Sequence, residues 1–254
     1  MTKTVGALVV LFALGCGLSV VEAQWVSRMP PNVPRGGDGR PDLSAPTPRT
    51  ADGKPDLAGI WQPASLPYFR DLARDLPGGA PMQPWAAALY KERSADLHAK
   101  DEPDANCLPQ GVPKINGAPA PWKVIPVPGA VVILYEAFGQ WRQIQMDGRT
   151  VAKDPNPSWL GYSTGRWDGD ALVVTTVGLN GKTWLDTSGH PTTEALTVTE
   201  RFRRPTFGQM EIEITVDDPK AYTRPWSSKH TARLLPDTEL LEFVCLENEK
   251  FQKH

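Results

Sequence analysis

Proline is distributed unevenly along this chain, and that distribution limits what each part can fold into. Of the 26 prolines in 254 residues, 19 lie before Ala130 and seven lie after it. Proline fixes φ and donates no backbone hydrogen bond, so helix interiors and central strands exclude it. The first half is therefore predicted to consist mostly of loops and extended segments, whereas the second half is free to form a sheet.

Short apolar runs separated by turn residues follow from Trp122 onward. They predict about eight strands with little helix between them, which is typical of antiparallel barrels and sandwiches. We expect a mainly β domain, with an antiparallel, lipocalin-like barrel favoured over a sandwich, built from consecutive hairpins. The expected hairpins pair residues 162–167 with 172–177, 196–202 with 210–216, and 226–234 with 239–245.

The first 23 residues have the order of a secretory signal peptide. Lys3 precedes an uncharged, mostly apolar run that ends at Val21, and Val21 and Ala23 are the small residues of a cleavage site. The mature protein is therefore expected to be exported, either periplasmic or secreted, with no transmembrane span. Lipidation at Cys16 is a minor alternative.

The mature chain is expected to be one domain preceded by an arm. Residues 24–58 form a Pro/Gly-rich arm in which the sequence DGRPDLS at 38–44 recurs as DGKPDLA at 52–58. Each copy has turn chemistry and is predicted to lead a leucine into a groove. Residues 59–254 then form a single β-rich domain, with a helix predicted over residues 83–99 from its first-turn proline and apolar spacing.

Charge and cysteine content narrow the partners and the compartment. The net charge is −2, and the one dense basic run, residues 201–204, is interpreted as a strand with outward arginines. Nucleic-acid binding needs many cations on one face, so no nucleic-acid partner is expected. Cys107 and Cys245 remain after cleavage and are predicted to form a disulfide, two buried thiols being the alternative.

Strand alternation identifies three polar side chains on apolar faces. Arg142, Glu200 and His230 each share the parity of the apolar residues of their strand. An inward carboxylate is costly unless it is paired, so Glu200 is either the partner of an arginine such as Arg142 or part of a site. His230 is either a satisfied core histidine or a functional one. All three are candidate ligand-binding residues.

The densest group of reactive side chains lies in a loop between two predicted strands. Asp186, His190 and Glu194 follow one another at intervals of four residues. They are candidate catalytic residues, with His190 as a general base oriented by either carboxylate. Two alternatives stay open, a divalent metal held by the same residues and a merely hydrogen-bonded loop. The spacing matches no established zinc pattern and no cofactor motif occurs, so neither metal nor cofactor is predicted.

Aromatic residues are the other notable feature, since nine tryptophans are many for this length. Tyr135, Tyr162, Trp184 and Trp226 fall in the β-rich half and are candidates for an aromatic-lined ligand pocket. Core packing is the alternative explanation, because aromatic residues also favour strands.

Five sequence blocks carry a resemblance to a known group of proteins. They are PDLAGIW at 55–61, CLPQGVP at 107–113, GYSTGRWDGD at 161–170, ERFRRP at 200–205 and AYTRPW at 221–226. They are similar to recurrent blocks in a family of uncharacterised exported proteins of soil bacteria. The resemblance covers most of the mature chain and implies export but no activity. That family often has a second histidine where this chain has Thr192, which disfavours a two-histidine metal site.

Three functions are consistent with these observations. The favoured one is an exported barrel that binds a small apolar or aromatic molecule in its interior, oriented by Arg142 and Glu200. The first alternative is a cofactor-free hydrolase, lyase or isomerase that uses His190 with Asp186 or Glu194. The second is a structural envelope protein without a ligand, and whether the chain is an enzyme stays open.

Overall fold

The computed structural model describes residues 32–64, 66–95 and 102–245. Within these residues nine strands follow one another in sequence order around a closed barrel. The mainly β, barrel-like prediction is confirmed, and the sandwich is not formed. The strands are β1 (Gly59–Pro63), β2 (Trp122–Val127), β3 (Ala130–Tyr135), β4 (Trp141–Gln145), β5 (Tyr162–Asp168), β6 (Ala171–Val177), β7 (Thr197–Thr206), β8 (Gln209–Asp217) and β9 (Trp226–Leu234).

Strand pairing follows the expected hairpins except at the C-terminus. The hairpins predicted over residues 162–177 and 196–216 are confirmed as β5–β6 and β7–β8. The third predicted hairpin is wrong, because β9 pairs with β8 and β1 while residues 235–245 contain no strand. Because β9 pairs with β8 along one edge and with β1 along the other to close the barrel, it has no free edge for a further strand.

The contact between β4 and β5 is the one parallel pairing among the described strands. It aligns only Ile144 with Ser163 and Gln145 with Thr164, whereas β7 and β8 align from Thr197 to Thr206. Parallel strands cannot be joined by a tight turn, and here residues 146–161 form the connecting loop. The first residues of β4 therefore have no backbone partner on β5.

Two α-helices occur in the described residues, α1 (Leu66–Arg70) and α2 (Pro84–Ala95). The first was not expected, and the second overlaps the helix predicted over residues 83–99. Residues 96–99 and the predicted signal peptide lie outside the described residues. Neither helix is long and apolar enough to cross a membrane.

A short 3-10 turn, Lys114–Gly117, reaches into the barrel and is called the plug below. All four of its residues are buried. Lys114 is buried and lies 2.6 Å from Glu102 and 2.9 Å from Asp104, so its charge is paired. The plug therefore fills part of the barrel interior that the side chains of the strands leave unfilled.

The two copies of the arm repeat fold alike. Just before each copy an arginine, Arg35 or Arg49, donates to the carbonyl of the glycine four residues later, which belongs to the copy, at 2.8 Å. Arg49 also binds both carboxylate oxygens of Asp170 at 3.0 and 2.7 Å, which ties the second copy to the β5–β6 turn. The two leucines differ: Leu57 is buried as expected, but Leu43 stays 38% exposed.

The predicted disulfide between Cys107 and Cys245 is confirmed. It joins the segment before the plug to the segment after β9, across a sequence separation of 138 residues. Closing so long a loop removes conformational entropy from the unfolded chain and so favours the folded state.

The basic run at the end of β7 departs from expectation at Arg204. Arg201 faces outward and binds Asp168 at 2.9 Å, but Arg204 is buried and donates to the Asp56 carbonyl of the arm at 2.6 Å. Burial lowers the pKa of Arg204 to about 10. Arg204 has the same parity as Val198, Glu200 and Phe202, so strand alternation itself places it on the inward face of β7.

Candidate functional site

Arg142 and Glu200 meet inside the barrel. Both are buried, and Arg142 Nη2 lies 2.5 Å from Glu200 Oε2. Arg142 also donates from Nε to Ser163 Oγ at 2.8 Å and from Nη2 to Thr176 Oγ1 at 2.6 Å. These contacts come from β4, β5, β6 and β7, so the pair joins four strands of the barrel wall.

The plug completes this group. Asn116 donates from its amide nitrogen to Glu200 Oε1 and accepts from the Tyr135 hydroxyl at 2.7 Å. Arg142, Glu200, Asn116 and Tyr135, with the two hydroxyls bound to Arg142, are called the barrel network below. Asn116 has no signal in the sequence, because it lies in an irregular segment whose path depends on tertiary packing.

Electrostatics within the barrel network favour the ion pair. Burial is the largest single influence and would lower the pKa of Arg142, but the charge and hydrogen bond of Glu200 together with Tyr135 outweigh it, and the pKa is raised. Burial raises the pKa of the Tyr135 phenol, which therefore stays neutral. One cation thus faces one anion, and the remaining members are neutral.

His190 and Asp186 are paired in the loop between β6 and β7. His190 Nδ1 lies 2.6 Å from Asp186 Oδ2, and because a carboxylate only accepts, Nδ1 carries the proton. Asp186 also accepts from the backbone N–H groups of Leu72, Gly189 and His190 at 2.8, 3.1 and 3.3 Å. Gly189 has φ +97°, and a Cβ there would collide with Arg93, so the turn that returns His190 to Asp186 requires glycine.

Asp71 joins this pair from the segment after α1. One ligand-capable atom from each of Asp71, Asp186 and His190 lies within 4.8 Å of the others. We call these three residues the loop cluster. Asp186 and His190 are buried, and Asp71 is half-buried, so the cluster is open on one side. Sequence reasoning missed Asp71, which lies more than a hundred residues from its partners.

Aromatic rings enclose the imidazole of His190. Tyr90 of α2 stacks on it at 4.3 Å between ring centroids, and Trp226 lies at 6.2 Å. Burial and the nearby charges of Asp71 and Asp186 raise the pKa of Tyr90, so its hydroxyl stays protonated beside the carboxylates. Only 2% of His190 is exposed, and a substrate would reach it only if these rings moved.

The remaining candidates lie apart from the Asp186–His190 pair or beneath it. Glu194 is exposed and is not part of the loop cluster. Trp184 is buried, with Arg93 packed over its ring at 4.3 Å. The His230 ring packs at a tilt against Tyr68 of α1, with 4.7 Å between the ring centroids, and burial lowers the pKa of His230 to about 4.

A cleft of about 590 Å³ opens beside the parallel seam between β4 and β5. Trp141 and Tyr162 border it and are 59% and 40% exposed. The Tyr162 hydroxyl donates to the Asn156 carbonyl at 2.9 Å, which holds the ring in place. Further lining residues are Gln143, Gln145, Arg149, Thr150, Val151, Ala152, Pro155, Leu160 and Thr164. The volume lies within the roughly 300–1,000 Å³ typical of small-molecule sites.

Comparison of the chain with protein-family models, with curated protein sequences and with solved structures finds no match.

Proposed function

We propose that this protein is exported and binds a small apolar or aromatic molecule in the cleft between β4 and β5. The observation that carries the proposal is the pair of exposed aromatic rings, Trp141 and Tyr162, beside a cleft of ligand size. Exposed aromatic side chains that border a concave surface are typical of recognition sites. The Cys107–Cys245 disulfide supports an oxidising compartment.

The outer cleft is favoured over the barrel interior because the interior groups already bind one another. Arg142 and Glu200 form an ion pair, and Asn116 of the plug fills the space beside them. Arg142 also lines the outer cleft, but its guanidinium is buried and bound to Glu200. A ligand that orients itself on these two charges would have to break a buried ion pair, at a cost of several kcal/mol.

The chemistry of the cleft favours an uncharged ligand. Arg149 lies in the loop that connects β4 and β5 and lines the cleft. It donates from Nε to both carboxylate oxygens of Asp147 at 2.9 Å. Those hydrogen bonds lower the pKa of Asp147 to about 2, so the pair stays ionised and neutral overall. Gln143 and Gln145 offer amide groups for orientation, and the two aromatic rings offer apolar contact area.

An enzymatic function has weaker support. The 2.6 Å contact between Asp186 and His190 is the geometry of an oriented base, but the imidazole is covered by Tyr90 and Trp226. A general base must come within hydrogen-bond reach of its substrate, and here aromatic rings occupy that space.

Thermal melting of the mature chain against a panel of uncharged aromatic and aliphatic compounds tests the binding proposal. A compound that binds only the folded state raises the melting temperature by mass action. We expect Trp141→Ala to weaken binding of that compound at least about tenfold, since central aromatic residues carry much of such affinity.

The matched control is Trp85→Ala, because Trp85 is 46% exposed but lies on α2 and not among the residues that line the cleft. It should bind the compound as the wild type does. Equal affinity of wild type and Trp141→Ala would place the ligand elsewhere, and a panel without a single melting shift would count against small-molecule binding itself.

A further inference from the structure

We propose that Lys114, the buried lysine of the plug, forms an intramolecular amide bond with Asp104. The bond joins Lys114 Nζ to Asp104 Cγ and releases one water, while Glu102 carries the protons. This is a covalent modification of the chain itself. It does not depend on the cleft between β4 and β5, because none of these three residues lines that cleft.

Lys114 is enclosed to a degree that is rare for a lysine, since its side chain is only 1% exposed. Its Nζ lies 2.6 Å from Glu102 Oε1 and 2.9 Å from Asp104 Oδ2, and both carboxylates are mostly covered. The Phe69 ring packs against the amine, with 5.4 Å between Nζ and the ring centroid. A site that excludes water protects an amide from hydrolysis, which is the reverse of the reaction that forms it.

The distances bring the amine within reach of the carboxyl carbon. Asp104 Oδ2 is one bond from Cγ, so Lys114 Nζ lies no more than about 4 Å from that carbon. Reacting atoms in a near-attack arrangement are roughly 3–3.5 Å apart, so only a small movement is needed. Two groups held in this way react as if each were present at a concentration far above any reached in solution.

Gln110 distinguishes the carboxyl oxygen that stays from the one that leaves. Its Nε2 donates to Asp104 Oδ2 at 2.8 Å, and negative charge develops on that oxygen when the amine adds to Cγ. Asp104 Oδ1, in contrast, is buried and accepts no hydrogen bond from the described residues. A buried oxygen without a partner is costly, and the reaction removes this oxygen as water.

The step balances without any co-reactant. The Lys114 ammonium gives one proton to Glu102, and the electron pair that this frees forms the bond to Asp104 Cγ. The Cγ–Oδ1 bond then breaks, and Oδ1 leaves as water with the proton from Glu102 and a second proton from the nitrogen. Glu102 ends as the carboxylate that it was. One ammonium and one carboxylate become a neutral amide, so the total charge is unchanged.

The amide closes a ring from Asp104 to Lys114 and so fixes the start of the plug, which carries Asn116 to Glu200. The same ring contains Cys107, whose disulfide already ties this segment to the end of the described chain. The amide therefore keeps the approach to the plug closed even after the disulfide has been reduced.

The test is the intact mass of the reduced mature protein, together with its tryptic peptides after unfolding. We expect the wild type to be lighter than its sequence by the mass of one water. Trypsin should fail to cleave after Lys114, because an acylated lysine is no longer a substrate, and the peptide that contains both residues should carry the loss. A succinimide at an aspartate loses the same mass but leaves Lys114 cleavable, so the digest separates the two.

Glu102→Gln tests the proton carrier, since it keeps both reacting groups. This variant should have its full mass and be cleaved after Lys114, and circular dichroism checks that it folds. The matched internal control is the pair of Lys123 and Glu239, whose atoms are 2.7 Å apart but whose side chains are 33% and 54% exposed. These two residues should stay unjoined in the same digest, because water reaches them.

The proposal is overturned if the wild type has its full mass, or if trypsin cleaves after Lys114 as it does after other lysines. It is also overturned if the missing water maps to residues other than Asp104 and Lys114. A Glu102→Gln variant that folds and still loses the water completely would show that Glu102 does not carry the protons.

Discussion

The barrel network and the loop cluster are both buried groups of polar side chains, yet their charges are arranged differently. In the barrel network, Arg142 faces Glu200, and hydroxyl and amide groups surround the pair. In the loop cluster, two carboxylates face one imidazole, and Asp71 remains half-buried. The first group is neutral and closed by protein, whereas the second carries excess negative charge and is open on one side.

This difference in charge balance has different consequences for the stability of the two groups. A buried ion pair whose partners are matched gains little from any further ligand, and its loss destabilises the fold. Two neighbouring carboxylates without a described lysine or arginine partner instead repel each other. Burial alone therefore does not distinguish the two groups, and the balance of charge does.

The largest expected effect comes from breaking the barrel network. Arg142→Met leaves Glu200 as an uncompensated buried charge, and unfolding in urea should show a loss of about 3–5 kcal/mol. The double variant Arg142→Met/Glu200→Gln removes both charges and should recover a large part of that loss, which a double-mutant cycle measures. A cost below about 1 kcal/mol for the single variant would mean that the pair is not important for stability.

A second test concerns His230, a half-buried imidazole with no carboxylate partner among the described residues. Burial lowers its pKa in the folded state to about 4, below the ordinary histidine value of 6.5, so the unfolded chain takes up the proton first as the pH falls. The stability from the neutral imidazole is complete above about pH 6.5 and is lost toward pH 4. The unfolding free energy should fall by about 2–3 kcal/mol over this window from His230 alone.

His230→Gln isolates that contribution, because every other ionisable group is common to both proteins. The difference between wild type and variant should shrink by this amount between about pH 7.5 and about pH 4.5, as followed by urea unfolding. A difference that is the same at both pH values would show that His230 is not buried in the neutral form.

How far the sequence predicts these clusters depends on which elements supply the residues. Strand alternation placed Arg142 and Glu200 on inward faces, and both are buried because their strands are regular. Local spacing brought Asp186 and His190 together, since a single turn with a glycine is enough to join them. Asn116 and Asp71 come from irregular segments, where no periodicity exists to indicate what a side chain faces.

The parallel pairing of β4 and β5 could not be predicted from the sequence either. Hairpin signals such as Asp168-Gly169-Asp170 predict antiparallel neighbours correctly, as at β5–β6. Between β4 and β5 the connection is a long loop, and no local sequence signal specifies whether β5 pairs with β4 in the parallel or the antiparallel direction. The Trp141–Tyr162 cleft is a consequence of that return, so single residues could be named as aromatic candidates but their arrangement could not.

The smallest expected effect is a gain in stability, opposite in sign to the loss expected for Arg142→Met. It tests the comparison between the barrel network and the loop cluster most directly. Asp71→Asn removes one of two neighbouring carboxylates while its Oδ1 can still accept from the Ala73 N–H. We expect the unfolding free energy to rise by about 0.5 kcal/mol, because like-charge repulsion is relieved and no buried partner is lost. Glu194→Gln should leave it unchanged, since Glu194 is exposed. A loss of more than about 1 kcal/mol on Asp71→Asn would make Asp71 a structural partner of Asp186 and His190. The loop cluster would then resemble the barrel network, and the distinction drawn from charge balance would fail.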